Sequence, residues 1–189
     1  MKVNGVLNLP GDKSISHRAI MLSSIAKGKS YIRNLNDGAD LQSTISVLKA
    51  CGAKIDNSNK SIIVEGVSLI DPKVNLDCGN SGTTTRLISG LLCSQKLDFV
   101  LTGDNSLSLR PMKRIIIPLK KMGCDISSNN NLLPMRINAK GGTQSINYKI
   151  PIASAQVKSC ILLAALGADK PSIIRENIFT RNHTEVMLN

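Results

Sequence analysis

Two stretches of the chain repeat one pattern: apolar residues at helical spacing, then a glycine, then a short strand-like segment. The stretches are residues 41–55 and 112–126, and the glycines are Gly52 and Gly123. The apolar positions on the two helix faces are Leu41, Ile45, Leu48, Ile115 and Leu119. This spacing predicts two amphipathic helices, and a glycine just past the last apolar residue is typical of a helix end.

The two glycines lie 71 residues apart, and the same offset carries Arg110 onto Arg181. Pro111 is expected in the first turn of the second amphipathic helix. Three further helices are predicted upstream of these landmarks, at residues 14–28, 81–94 and 154–168. Strands are predicted at residues 30–35, 61–66, 98–103 and 172–177. We therefore expect an α/β (α+β) fold of three βαβαββ units, at roughly residues 10–75, 76–142 and 143–189, with the third unit truncated.

The composition supports a globular chain with an aliphatic core. Of 189 residues, 42% are hydrophobic but only 2% are aromatic. Such a core suits layered α/β packing. No apolar stretch approaches the ~20 residues that a membrane-spanning helix needs, and the first residues lack the apolar segment of a secretory leader. We expect a cytoplasmic protein.

The formal net charge of +11 indicates anionic partners. Single-stranded nucleic acid is disfavoured because the chain has almost no aromatic side chains on which bases could stack, and no nucleic-acid-binding motif is found. No membrane association is expected. Small anions are the better interpretation.

The cysteines are five in number and widely spaced, with no CxxC pair: Cys51, Cys78, Cys93, Cys124 and Cys160. This pattern indicates neither a disulfide framework nor a zinc site. His17 and His183 have no metal-ligand or triad spacing, so we expect structural roles for them. The chain also lacks the spacing of a P-loop or a dinucleotide-binding loop.

The first helix of each unit opens with small, hydroxyl or basic residues, at residues 11–14, 79–83 and 154–156. Helix N-termini attract anions, and three that converge would hold a polyanionic ligand. For any one of them, ordinary N-capping is the simpler explanation. Lys13, Arg18 and Arg110 add cationic side chains that capping does not require.

Five motifs, LPGDKSISHRA, GNSGTTTR, GDNSLSLRPM, SAQVKS and RNHTE, resemble those of the EPSP synthase family of enolpyruvyl transferases. The resemblance implies transfer of the enolpyruvyl group of phosphoenolpyruvate to the 5-hydroxyl of shikimate 3-phosphate, without metal or organic cofactor. It places the reaction in the shikimate pathway to chorismate and aromatic amino acids. It also implies two lobes of three βαβαββ units, with residues 1–189 as an incomplete N-terminal lobe and residues 1–9 as a segment that could pair with the missing C-terminal lobe.

Carried over motif by motif, the resemblance places Lys13, Ser14 and Arg18 on shikimate 3-phosphate. Lys13 would also contact phosphoenolpyruvate and is the catalytic candidate. Ser154 and Ala155 would meet the phosphate of the shikimate substrate. Many family members have serine where this chain has Ala155, so a hydroxyl contact would be lost there.

The resemblance also implies that phosphoenolpyruvate would be held by Asn80, Gly82, Thr83 and Arg110. Gln156 would contact both substrates. In the branch that shares SAQVK and RNHTE, often called class II, Arg181 also approaches shikimate 3-phosphate. The family's proton-transfer residues, an Asp and a Glu of the second lobe, have no counterpart here, so we expect the chain alone to be inactive.

Two alternatives stay open at this point. A sister transferase that acts on UDP-N-acetylglucosamine shares the fold, but its Lys-Asn pair and loop cysteine are not found, since Ser14 follows Lys13. A non-catalytic module that binds anions is the second alternative.

Overall fold

The computed structural model describes residues 4–5, 9–57 and 61–189, and these ranges contain seven helices and nine strands. The helices are α1 Lys13–Ile25, α2 Ala39–Ala50, α3 Gly82–Ser94, α4 Asn105–Ser108, α5 Lys113–Lys121, α6 Ala155–Ala165 and α7 His183–Leu188. The strands are β1 Lys29–Arg33, β2 Lys54–Asp56, β3 Ser61–Glu65, β4 Leu76–Asp77, β5 Asp98–Thr102, β6 Asp125–Ser128, β7 Met135–Asn138, β8 Asn147–Lys149 and β9 Ile173–Arg175. The predicted α/β class is confirmed.

The strands form three small sheets. The first is antiparallel in the order β1-β3-β2, with Tyr31 opposite Ile63 and Ile55 opposite Val64. The second has the order β4-β5-β7-β6, in which β4 and β5 run parallel and the other pairs are antiparallel. The third is the parallel pair β8 and β9.

Helix α3 lies at the centre of the fold, and eleven of its thirteen residues are buried. A helix that is buried on nearly every side is expected only where other elements surround it. Its backbone approaches α6 closely at Gly90, where a Cβ atom would lie 2.0 Å from the carbonyl oxygen of Cys160. Glycine at this position therefore allows the two helices to pack together.

Most predicted elements are confirmed, including the three upstream helices and the four strands. Gly52 and Gly123 adopt φ angles of +88° and +91°, the left-handed conformation that favours glycine after a helix. The expectation for Pro111 is wrong, because α5 begins two residues later at Lys113. The short helix α4 was not predicted; the N–H of Arg110 donates to the carbonyl of Leu107 at its end, 2.9 Å away, so Pro111 belongs to a connection between two helices.

The remaining expectations concern the first residues of the chain, the cysteines, and sites for metals or membranes. Residues 1–9 were expected to pair with a second lobe, and that prediction lies outside the described residues except at positions 4, 5 and 9. All five cysteines are buried free thiols. Within the described ranges, no group of three or more His, Cys, Asp or Glu residues is placed to hold a metal ion. No helix in the same ranges combines the length and apolarity needed to cross a bilayer.

Candidate anion-binding site

Three helix N-termini line one cavity of about 150 Å³. The lining residues come from the starts of α1, α3 and α6 and from the segment before α7: Asp12, Lys13, Ser14, Arg18, Thr83, Ala155, Gln156 and Arg181. Three of the eight are cationic. The positive ends of three helix dipoles and these cations act on the same small volume, which is the arrangement that binds a multiply charged anion.

Each of the three helices carries a side-chain N-cap. Asp12 accepts from the N–H of Ile15 at 2.8 Å, and Ser81 accepts from the N–H of Thr84 at 3.1 Å. Ser154 caps α6 but does not line the cavity. N-capping therefore accounts for the Ser154 hydroxyl. It does not account for the cationic side chains that line the cavity.

Arg18 is almost fully buried, at 3% exposure, and its guanidinium is held by hydroxyl groups from three helices. Its Nε donates to Thr184 at 2.6 Å, its Nη1 to Ser14 Oγ at 2.7 Å and its Nη2 to Ser159 Oγ at 2.6 Å. Burial, and next the positive charge of Arg181, lower the pKa of Arg18. An anion between Arg18 and Arg181 would relieve this repulsion, so the pair is suited to a phosphate group.

Lys13 is the most accessible cation that α1 contributes to the cavity, with 53% of its side chain exposed. Its ammonium forms an ion pair with Asp40 at the start of α2. The neighbouring Ser14 hydroxyl contacts both Arg18 and the Nδ1 of His183, the latter at 3.2 Å. Lys13 can therefore reach a ligand while Asp40 keeps its side chain near the cavity.

A chain of buried hydroxyl groups connects α1, α2 and the start of α3. The Nδ1 of His17 lies 2.7 Å from Thr44 Oγ1, which lies 2.8 Å from Thr84 Oγ1. Thr84 donates onward to Ser81 Oγ at 2.8 Å. Burial lowers the pKa of His17 to about 4, so its ring is neutral near pH 7. The structural role expected for His17 agrees with this placement.

A second group of cations adjoins the cavity at the start of α3. Arg110 Nη2 donates to Asn80 Oδ1 at 2.5 Å, and Asn80 Nδ2 donates to Asp104 at 2.7 Å. Gly82 faces this group, because a Cβ atom there would lie 2.5 Å from Arg86 Nη1 and 3.6 Å from Arg110 Nη1. We call Arg86, Arg110 and Arg114 the arginine cluster.

Arg86 is the site residue that the sequence analysis missed. Its Nη1 donates to the carbonyl of Gly82 and to Oε1 of Gln156, both at 3.1 Å. Gln156 in turn donates from Nε2 to Thr83 Oγ1 at 2.9 Å. Burial, and then the charges of Arg110 and Arg114, lower the pKa of Arg86. The sequence contains one indication of this role: Arg86 lies four residues after Gly82, so the two residues are expected on the same face of one helix.

The predicted site residues, apart from Ser154, which caps α6 and lies outside the cavity lining, fall into two adjoining groups. Those at the cavity are Lys13, Ser14, Arg18, Thr83, Ala155, Gln156 and Arg181. Asn80, Gly82 and Arg110 lie outside its lining. Arg110 bonds to Asn80, and the Gly82 carbonyl accepts from Arg86, which also bonds to Gln156. The arrangement places two groups of cationic side chains next to each other, and the amide of Gln156 contacts Arg86 and Thr83 where they adjoin.

The chain is similar to proteins of one family over nearly its whole length. The family model described as EPSP synthase (3-phosphoshikimate 1-carboxyvinyltransferase) matches residues 1–189. A protein of Vesicomyosocius okutanii named 3-phosphoshikimate 1-carboxyvinyltransferase is 50% identical over 187 residues, which is 97% of this chain and 43% of the relative. A protein of the same name from Ruthia magnifica is 49% identical over 98% of this chain and 43% of its own length.

A solved structure described as EPSP synthase from Acinetobacter baumannii superposes with a TM-score of 0.93 at 42% identity. The superposition covers 97% of this chain and 43% of that protein. The chain therefore spans less than half the length of the relatives and of the solved structure that it matches.

Proposed function

The chain belongs to the EPSP synthase family, and we propose that it forms the part of an enolpyruvyl transferase that binds shikimate 3-phosphate and phosphoenolpyruvate. The complete reaction would transfer the enolpyruvyl group to the 5-hydroxyl of shikimate 3-phosphate and release phosphate. A cytoplasmic location and a place in aromatic amino acid biosynthesis belong to the same proposal.

One observation carries this proposal: the cavity and the arginine cluster are adjacent, and Gln156 lies between them. We assign shikimate 3-phosphate to the cavity, where Lys13, Arg18 and Arg181 surround a space suited to its phosphate. Ser14 and Ala155 line the same space, and Ser154 lies next to it as the cap of α6.

Phosphoenolpyruvate is assigned to the region of Asn80, Gly82, Thr83 and Arg110. Gly82 lacks a side chain that would separate a ligand from the guanidinium groups. Because both substrates are anions, bringing them together creates repulsion, which the cations of both groups offset. Gln156 is placed to contact the two ligands at once.

The chemistry is an addition followed by an elimination. A proton added to the methylene carbon of phosphoenolpyruvate creates cationic character at the adjacent carbon, which the 5-hydroxyl attacks. The hydroxyl loses its proton as the C–O bond forms, and loss of phosphate with a proton from the newly formed methyl group then restores the double bond. Lys13 and Arg110 would stabilise the departing phosphate, as positioned cations do for developing negative charge. A second lobe would supply the proton-transfer carboxylates.

We also propose that the chain is an N-terminal lobe of three βαβαββ units, at roughly residues 10–75, 76–142 and 143–189. Within the described residues, the most complete unit runs β4-α3-β5-α5-β6-β7, with the short α4 inserted before α5. The parallel pairing of β4 with β5 has its counterpart in β8 with β9 on either side of α6. The left-handed glycines after α2 and α5 support the same division.

Calorimetric titration tests the proposed substrate. We expect saturable binding of shikimate 3-phosphate and none of UDP-N-acetylglucosamine at the same concentrations. The Lys13→Ala variant should lose the heat of binding, whereas Lys54→Ala should retain it, because Lys54 pairs with Glu65 on an exposed sheet surface. Preference for the sugar nucleotide would assign the chain to the sister transferase, and equal binding by Lys13→Ala would remove the proposed site.

A further inference from the structure

The segment from Glu176 to Glu185 carries Arg181 to the cavity, yet it buries little apolar surface. Phe179 is 95% exposed and Ile178 is 67% exposed. In α7, the helix that follows Arg181, Thr184 is the only buried residue. Burial of apolar side chains is the main stabilising contribution for most elements, so this segment must be held in place by polar contacts.

One buried cation connects both ends of the segment. Lys158 on α6 is 5% exposed, and its Nζ lies 2.7 Å from Glu176 Oε1 and 2.6 Å from Glu185 Oε1. Glu176 also accepts from the N–H and the hydroxyl of Thr180, at 3.2 and 2.7 Å. Lys158 therefore ties the residues before and after Arg181 to the helix that carries Gln156.

The electrostatics make this connection strong. Burial alone would lower the pKa of Lys158, but hydrogen bonds to Glu176 and Glu185 outweigh it and raise the pKa. Removal of Lys158 would leave two partly buried carboxylates without their cation, which is expected to destabilise the segment locally. We call Lys158, Glu176 and Glu185 the Lys158 group; it contains two carboxylates and one cation. The charge of Glu185 also favours the protonated form of Arg18.

A second contact continues the connection to the cavity. Thr184, next to Glu185, accepts from Arg18 Nε at 2.6 Å and donates to Ser159 Oγ at 2.7 Å. Ser159 follows Lys158 on α6, and its hydroxyl also accepts a hydrogen bond from Arg18 Nη2. Displacement of the segment would therefore move Arg181 and remove a hydrogen-bond partner from Arg18.

We propose that Lys158 is a positioning residue, which fixes residues 176–185 through Glu176 and Glu185 so that Arg181 and Arg18 face the same phosphate group. The proposal rests on the proposed function of the cavity and adds a residue that does not line it. Lys158 acts through the segment and makes no contact with the ligand itself.

Two measurements on the Lys158→Met variant test this role, since methionine keeps most of the side-chain volume and removes the charge. Amide exchange in residues 176–188 should accelerate about tenfold or more, while exchange in α3 stays unchanged. The dissociation constant for shikimate 3-phosphate should rise about tenfold. Lys158→Arg should restore part of both properties, and Lys54→Met, which removes an exposed ion pair, should change neither.

A charge-balanced variant keeps the test decisive if Lys158→Met does not fold. Lys158→Met with Glu176→Gln and Glu185→Gln removes all three charges, so neither partly buried carboxylate is left unpaired. Its segment should still exchange faster and its affinity should still fall. Unchanged exchange, or unchanged affinity with faster exchange, overturns the role of Lys158 alone. Failure of the wild-type chain to bind shikimate 3-phosphate overturns the proposed function and this inference with it.

Discussion

Arg86 Nη1 donates a hydrogen bond to Gln156 Oε1 over 3.1 Å and thereby joins α3 to the first turn of α6. The other end of the same amide donates to Thr83 at 2.9 Å, so both polar ends of Gln156 have partners on α3. These two contacts fix the orientation of Gln156, which lines the cavity and bonds to the arginine cluster. Arg86 also adds a third positive charge near Arg110 and Arg114.

The first prediction concerns Arg86. In Arg86→Met the affinity for phosphoenolpyruvate, measured with shikimate 3-phosphate saturating, should fall about tenfold or more, because a charge-assisted contact and the orientation of Gln156 are both lost. Affinity for shikimate 3-phosphate alone should fall less than about threefold. Arg86→Lys keeps the charge without the two-donor geometry, so its effect should be intermediate. An equal loss of affinity for both ligands would show that Arg86 stabilises the whole site and does not act on phosphoenolpyruvate in particular.

The second prediction concerns Gly82. An alanine Cβ would lie 2.5 Å from Arg86 Nη1, which is the end of a flexible side chain that can move away. Gly82→Ala should therefore change the free energy of unfolding by less than about 1 kcal/mol, while weakening phosphoenolpyruvate binding several-fold.

Gly90→Ala provides the contrast for that experiment. Its Cβ would meet the backbone carbonyl of Cys160 at 2.0 Å, which cannot move without separating α3 from α6. Thermal or urea unfolding should show a loss of about 1–3 kcal/mol or more. Large destabilisation by Gly82→Ala would mean that the start of α3 is rigidly packed and that the Arg86 side chain cannot move away.

The sequence allowed the helix starts at the cavity to be predicted because capping residues, glycines and cations mark them locally. Arg86 was missed because its partner, Gln156, lies 70 residues away on another helix. The Lys158 group was missed for a similar reason, since a lysine in an apolar helix pattern does not indicate its buried partners. Pro111 was misplaced because the connection before α5 depends on a hydrogen bond from Met112 to Asn131, 2.8 Å long.

The third prediction concerns pH. Burial lowers the pKa of His17 from 6.5 to about 4, so between these pH values the unfolded chain binds more protons than the folded chain. Stability attributable to His17 is therefore fully present above about pH 6.5 and is lost as the pH falls to 4, by on the order of 3 kcal/mol. The Nε2 of His17 has no partner within the described residues that would stabilise an added proton.

His17→Asn isolates this effect, because the amide can replace the contact with Thr44 but does not titrate in this range. Urea unfolding of both proteins at several pH values between 4 and 7 should show a shallower pH dependence for the variant. Parallel curves for the two proteins would indicate that other groups account for the acid sensitivity of the chain.

The last prediction is that the 189-residue chain binds its substrates without turning them over. Of the described carboxylates near the cavity, Asp12 caps α1, Asp40 pairs with Lys13 and Glu185 pairs with Lys158, so each has a structural partner. General acid–base catalysis is typically worth about 10²- to 10⁴-fold, and exclusion of water by a second lobe adds to it. Phosphate release with both substrates saturating should be undetectable for the chain alone and should appear when a separately expressed C-terminal lobe of a relative is added. Release by the chain alone would mean that Lys13 and its neighbours suffice for catalysis, and binding with no release even after complementation would favour a non-catalytic module.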